Sequence, residues 1–280
     1  MKLSIIIPII EPNDTTLYTL NSTIDCFVKG CEKEIILVSD TQFKPETFNC
    51  YNELKDNNWK FIINKKPIGI FESRRKGLKK STGDLIWFLD STDKVDIFDL
   101  TEKMLDYDVS LFDLSYFKDG DESNYCTYSY GNYGNVDDED YNKLNPFATR
   151  HIVKKYLNPF IDNFIFKAEF IKSIYDKIPT INNFNKFSNL YLTVAALKYM
   201  KSFKYFNKNI CAIKMKSNYC NDHFDIHEDE TTSFGSVIVN EFFNESQIEE
   251  FKNIVLEKDE ANISKEILAF LDSFKNEETE

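Results

Sequence analysis

Apolar residues fall along the first hundred positions in two alternating rhythms. The runs at 3–10 (LSIIIPII), 34–38 (EIILV), 59–63 (WKFII) and 85–89 (LIWFL) are short, continuous and rich in β-branched residues. That is the pattern of strands buried on both faces. After the first run, Asn13-Asp14-Thr15-Thr16 offers side chains suited to capping a helix, and Leu17, Leu20, Ile24 and Phe27 follow at helical spacing. A further helix is predicted from about 69 to 81, closed by Thr82-Gly83. The order β-α-β-α-β-α-β predicts a mostly parallel sheet with helices on both faces. In such sheets the ligand sits beyond the carboxyl ends of the strands. The polar residues at those ends are Glu11, Asp40, Asn64, Asp90 and Asp93.

Beyond position 100 the rhythm changes. One or two strands are predicted at 108–117, and the polar stretch 118–145 reads as a long loop or a pair of weak strands. Helices are predicted at 160–177 and 187–201, with a strand at 203–214. The tail from about 243 is charged and helical, and Ile248, Phe251, Ile254 and Val255 form a stripe that fits packing onto the body. The chain divides on this reading into 1–100, 101–215 and 216–280, with no internal repeat and no interdomain linker.

Composition narrows the function classes. The chain has 280 residues, 42% apolar and 29% charged, as in soluble globular proteins. Its net charge of −12 argues against a partner gripped through nucleic-acid phosphates. One basic patch stands out: Lys65, Lys66, Arg74, Arg75, Lys76, Lys79 and Lys80. It reads either as a solvated helix face or as a seat for a small anion such as a diphosphate. The six cysteines include no C-x-x-C pair and no signal peptide precedes them, so a cytoplasmic protein with free thiols is expected. The apolar run Ile5–Ile10 is broken by Pro8 and is too short to span a bilayer. A peripheral association with the inner face of a membrane stays compatible with this, and the oligomeric state is left open.

Four segments, in order within 93 residues, carry a resemblance. Ser4-Ile5-Ile6-Ile7-Pro8 is similar to an opening S-I-I-I-P strand. Glu34-Ile35-Ile36-Leu37-Val38-Ser39-Asp40 is similar to E-I-I-V-V-D-D. Asn64 with Gly69, followed by Ser73-Arg74-Arg75-Lys76-Gly77-Leu78, is similar to N-x-G and A-R-N-x-G-L. Thr82-Gly83-Asp84-Leu85-Ile86-Trp87-Phe88-Leu89-Asp90-Ser91-Thr92-Asp93 is similar to G-E-Y-I-x-F-L-D-S-D-D. Together they resemble the GT-A glycosyltransferases of family 2. The resemblance covers about the first third of the chain and thins afterwards.

The resemblance implies a GT-A (Rossmann-like) α/β fold: a mostly parallel sheet flanked by helices, here with a C-terminal helical extension. It implies an inverting transferase of the hexosyltransferase type, taking a sugar from a nucleotide-diphosphate donor, a UDP-sugar above all, to a glycan or lipid-linked acceptor of polysaccharide biosynthesis. Residues 1–100 would then be the nucleotide-sugar half and 101–215 the acceptor side. Asp40 would accept from the uracil N3–H, with Pro8, Ile10 and Glu11 framing base and ribose. Gly69, Arg74, Asp90, Ser91 and Thr92 complete the implied donor site, Arg74 contacting the diphosphate or positioning Asp90. A divalent ion, Mn²⁺ or Mg²⁺, would bridge the phosphates, since hard cations take carboxylate oxygens.

Two positions depart from the family pattern. Thr92 stands where D-x-D has its second Asp; either the adjacent Asp93 shifts in, or Thr92 acts as a weak ligand, or the site lacks a metal. In Phe187-Ser188-Asn189-Leu190-Tyr191-Leu192, Asn189 occupies the place of the catalytic base, and an amide cannot take the acceptor proton. The segment Asn163-Phe164-Ile165-Phe166-Lys167, similar to N-K-L-F-K, supports that alignment. A shifted register would recruit another acid. His223 and His227 form H-x-x-x-H among Asp222, Asp225, Glu228 and Asp229. They read as an acidic loop, or, for His227, as a further metal ligand. These departures keep open a second reading, a catalytically impaired GT-A module that binds or scaffolds an active partner. A nucleotidyltransferase is disfavoured because no Gly-rich, basic phosphate loop follows the first strand.

Overall fold

A computed structural model describes residues 1–25, 28–29, 31–42, 46, 48, 52, 59–95, 98–118, 121–128, 161–215 and 245–275. Strand β1 (Lys2–Ile9) leads into helix α1 (Asp14–Asp25), whose first turn is capped by Asn13: its Oδ1 accepts from the Thr16 N–H at 3.0 Å. A two-residue β2 (Val28–Lys29) precedes β3 (Glu32–Ser39) and β4 (Trp59–Ile63). Helix α2 (Ile70–Lys80) then returns the chain to β5 (Leu85–Phe88). Apart from the short β2, these are the strands and helices that the apolar rhythm predicts, within two residues at each end; most of the stretch between β3 and β4, where the pattern implies a further helix, lies outside the described residues.

The strands β4, β3, β1 and β5 lie side by side and parallel. The chain leaves β1 toward β3 and β4, then crosses back to its other side at β5. This reversal opens a crevice at the carboxyl ends. All of β1 from Leu3 to Ile9 is buried, and successive side chains feed two cores. Leu3, Ile5, Ile7 and Ile9 meet Leu20 of α1, while Ile6 meets Phe71 and Leu78 of α2 on the opposite face.

The second half departs from a parallel plan. Short β6 (Lys94–Val95) and β7 (Phe98–Asp99) are followed by a 3₁₀ turn, Glu102–Asp106, and by β8 (Val109–Lys118). The polar stretch after β8 begins with a strand, β9 (Asp121–Tyr128), antiparallel to it; positions 129–145 lie outside the described residues. The helix predicted at 160–177 is shorter than expected. Residues Phe164–Lys167 form strand β10, and only Ala168–Lys177 is helical (α3). β10 inserts antiparallel between β5 and β8, a tertiary pairing that overrides a run whose apolar spacing suits either state. Helix α4 (Ser188–Tyr199) and the long β11 (Phe203–Met215) follow, β11 pairing parallel to β8 and antiparallel to β6. The tail forms two helices, α5 (Glu245–Val255) and α6 (Ile263–Lys275). Ile248, Phe251 and Val255 are buried in the α2-side core, with Ile254 partly covered. No described helix is long and apolar enough to cross a membrane.

Two close-fitting points fix α2, one against the segment before α4 and one on the sheet. Gly69 precedes the helix at φ 88°, a left-handed conformation open to glycine, and a Cβ there would stand 2.8 Å from the Phe184 nitrogen. A Cβ on Gly77 would stand 2.4 Å from Cγ2 of Ile6 and 3.3 Å from Cγ2 of Val38. At the amino edge of the sheet, buried Glu34 accepts from the Ser4 hydroxyl (2.6 Å), the Thr82 N–H (2.6 Å) and Lys60 Nζ (2.9 Å). Burial alone would raise this carboxyl; the donors outweigh it and hold its pKa at about 2.

Gly77→Ala is expected to lower the unfolding free energy by about 1–2 kcal/mol, overpacking against Ile6 outweighing the gain in helix propensity. Glu34→Gln is expected to cost about 2 kcal/mol at pH 7. Because the folded pKa lies below the ordinary 4.5, the stabilisation is complete above that pH and disappears as pH falls toward about 2. Urea unfolding between pH 3 and 7 checks both, and the variant should show a flatter acid limb than the parent.

Candidate active site

The polar residues flagged at the strand ends gather around the carboxyl-edge crevice, but in two groups. The first surrounds Asp40, which follows β3 and is buried. Its carboxylate accepts from Asn64 Nδ2 (2.6 Å), the Ser73 hydroxyl (3.1 Å), the Ile68 N–H (3.2 Å) and the Gly69 N–H (2.7 Å). Asp40 therefore ties the ends of β3 and β4 to the start of α2. The next two helical N–H groups are also occupied, Ile70 by Asn185 Oδ1 (2.8 Å) and Phe71 by the Phe184 carbonyl (3.2 Å). Ile10, just past β1, and Ile63, the last residue of β4, are the exposed large hydrophobic side chains among the described residues. Glu11 is exposed next to Ile10, whereas Pro8 lies inside β1, buried and paired with Val38.

The second group is built on Arg74. Gly77 and Phe71 seat α2 so close to the sheet that Arg74, on the same helix, is fully buried. Its guanidinium donates from Nη2 to Asp90 Oδ1 at 2.5 Å and from Nη1 to Asn189 Oδ1 at 2.5 Å. Asn189 in turn donates from Nδ2 to Asp90 Oδ2 at 3.2 Å. The three side chains close a triangle joining α2, the end of β5 and the first turn of α4. The Asn189 amide is thereby consumed on both sides, its oxygen by the arginine and its nitrogen by the carboxylate. Arg75, by contrast, turns to Glu72 (3.1 Å) and to the carbonyls of Tyr175, Ile178 and Pro179. Lys76 donates to Asn64 Oδ1 at 2.6 Å. The basic patch read from the sequence is thus divided: its two arginines point into the protein, and only lysines remain exposed on it.

Asp90, Asp93 and Asp162 converge behind this triangle, each offering an oxygen within 4.8 Å of the others. Asp93 closes the turn Asp90-Ser91-Thr92-Asp93, its N–H bonded to the Asp90 carbonyl at 3.2 Å. The turn carries Asp93 inward to burial and leaves Thr92 exposed, with Ser91 between these extremes. The Thr92 hydroxyl donates to Asp93 Oδ1 at 3.2 Å. Asp162 precedes β10 and was not singled out in the sequence. The signal available for it was its place beside Asn163, at the head of the N-K-L-F-K-like segment. Buried Oδ2 atoms on Asp93 and on Asp162 have no hydrogen-bond partner, nor has Arg74 Nε. Burial, then the charges of Asp162 and Asp90, push Asp93 well above the usual carboxylate range. Asp162 is pushed up to about 7 by burial and the Asp90 charge, with Arg74 opposing. Two orphaned carboxylate oxygens in a starved pocket fit a hard divalent cation. His227 and its acidic neighbours lie outside the described residues.

The family model described as glycosyl transferase family 2 matches residues 4–172, a span that includes Asp40, Arg74, Asp90, Asp93 and Asp162. No curated protein sequence matches the chain. Crystal structures of S. aureus TarS share the fold. One covers 97% of this chain and 43% of its own, with a TM-score of 0.55 at 16% identity. The chain thus spans less than half the length of that protein. The structure of TarS 1–349 in complex with UDP-GlcNAc covers 99% of this chain and 72% of its own, at 0.54 and 17% identity. That of TarS 1–349 in complex with UDP covers 97% and 71%, at 0.51 and 16%. At these identities the likeness shows the GT-A fold.

Arg74→Lys is expected to destabilise the protein by about 2–4 kcal/mol, because an ammonium cannot reach Asp90 and Asn189 together in the guanidinium's fork geometry. Denaturant unfolding of the two proteins at pH 7 measures the difference.

Proposed function

The chain belongs to glycosyl transferase family 2 and carries the GT-A fold, and from that premise we propose that it binds a UDP-sugar at the carboxyl-edge crevice and transfers the sugar, with inversion, to a hydroxyl of a glycan or lipid-linked acceptor. The observation that carries the reading is the convergence of Asp90 and Asp93 at the end of β5 beside buried Arg74, where the strand order reverses. Ile10 and Glu11 would frame the base and ribose from the end of β1, near Asp40. Asp40, with four donors already on its carboxylate, acts first as the brace that shapes this wall and would meet a uracil N3–H only by exchanging one of them. Gly69 and Ser91 sit in the two loops that border the crevice. The second half of the chain, from position 101, supplies the acceptor side.

Asp90 and Asp93 are the side chains that would hold Mn²⁺ or Mg²⁺. Such an ion, when bound, neutralises charge developing on the leaving diphosphate. Arg74 and Asn189 hold Asp90 in one orientation, so its outward edge, 26% exposed, faces the crevice. In an inverting transfer the acceptor oxygen attacks the anomeric carbon as the bond to the β-phosphate oxygen breaks, and the acceptor proton must go to a base. Asn189 cannot take that proton, and its amide is already spent on Arg74 and Asp90. This favours a second reading, in which the chain is a GT-A module that binds the donor and serves as partner to an active transferase.

Isothermal calorimetry with UDP distinguishes these readings from a protein with no donor site. UDP is expected to bind, about tenfold or more tightly with Mn²⁺ than without; no heat of binding at millimolar UDP overturns the proposal. Hydrolysis of a UDP-sugar by the same sample marks an active enzyme, and binding without turnover marks the module.

A further inference from the structure

We propose that Asp162 is the third carboxylate of a divalent-cation site, supplied from the second half of the chain in place of the acid missing at Thr92. The inference rests on the donor-site reading above. Its basis is geometric. β10 runs antiparallel to β5 with Ile165 opposite Trp87, and continuing that register sets Asp162 across from Asp90. The Asp90 N–H donates to Asp162 Oδ1 at 2.8 Å, while Trp87 Nε1 (2.5 Å) and Cys211 Sγ (3.3 Å) hold the Asp162 carbonyl. The side chain is thereby fixed with Oδ1 spoken for and Oδ2 free. Beyond the pairing of the Asp93 and Asp162 carboxyls with each other, that Oδ2 and the Oδ2 of Asp93 meet no donor, although both residues are 1% exposed or less.

Buried carboxylate oxygens are ordinarily satisfied, and leaving them bare beside a third acid is costly. Arg74 is the cation bonded to this group, and its bonds go to Asp90 and Asn189. The ligand chemistry that completes the set is a small hard cation. Ligands on opposite sides of such an ion stand roughly 4–5 Å apart, and the three acids offer oxygens within 4.8 Å of one another. The exposed Thr92 points its hydroxyl at Asp93 rather than replacing the lost acid. Asp162 thus gives the motif a ligand that its local sequence lacks.

The probe is Mn²⁺ alone, followed by electron paramagnetic resonance of the free ion and by the melting temperature, on the full chain and on Asp162→Asn. The variant keeps an oxygen acceptor for the Asp90 N–H. The parent is expected to bind Mn²⁺ without UDP and to melt higher in its presence. D162N is expected to bind it at least tenfold more weakly and to lose the melting shift. Equal Mn²⁺ affinity in parent and D162N overturns the proposal and leaves the donor reading standing. A parent that binds UDP but no Mn²⁺ overturns it as well. A parent that binds neither removes the donor reading on which it rests. Should D162N fail to fold, Asp162→Ser, which retains a smaller oxygen acceptor, is read in the same way.

Discussion

A guanidinium buried without access to water governs this structure. Arg74 has to find its partners within the protein, and it finds them on two elements distant in sequence, Asp90 after β5 and Asn189 on α4. A planar fork with fixed donor directions tolerates little displacement of either. The position of α4 relative to the parallel sheet is therefore tied to the charge at the carboxyl edge. The close seat of Gly77 on Ile6, which brings α2 near enough to bury the arginine, serves the same arrangement.

The sheet holds a single buried carboxylate at its amino edge and a group of three at its carboxyl edge, and the two sites are electrostatic opposites. At the amino edge, Glu34 is surrounded by donors and two lysines and is held ionised, so its contribution is lost in acid. At the carboxyl edge, Arg74 bonds to Asp90 alone among the three acids, and Asp93 and Asp162 are pushed toward the protonated form by burial and by their acidic neighbours. Their ionisation costs stability as pH rises, the reverse of Glu34. A fold optimised for stability alone would not keep such a group. Three acids that cannot all ionise without a counter-charge form the kind of group that the proposed cation would relieve.

The replacement at position 189 has a structural consequence that residue type alone does not convey. An aspartate there would place a second acid against Asp90 and leave no donor for its Oδ2. The amide accepts from Arg74 and donates to Asp90 at once, which completes the triangle. Asn189, which the family resemblance sets at the base position, is thus spent on the frame around Asp90, and this is the physical ground for weighing a donor-binding module beside an active enzyme.

Most of the first half was legible in the sequence. Strands buried on both faces announce themselves as continuous apolar runs, and the polar residues that end them mark the crevice, because both signals are local. The lengths of β1, β3, β4, β5 and α2, the cap at Asn13 and the place of Asp40 and Asp90 follow from that, whereas Arg74 was marked by the family resemblance. The roles were less legible. Asp40 proved to be a brace bonded four ways, and the basic patch lost its arginines to the interior, because side-chain direction depends on what packs above a helix. Phe164–Lys167 became a strand because an open edge of β5 was there to pair with. Asp162, marked in the sequence only by its place before the N-K-L-F-K-like segment, meets Asp90 across 72 positions of chain through the register of that pairing. The sequence by itself determined the succession of strands and helices in the first hundred residues and the polar residues that end the strands. Only the tertiary structure decided which acids share a pocket and which cation they share, because those contacts depend on strand register and helix rotation between distant segments.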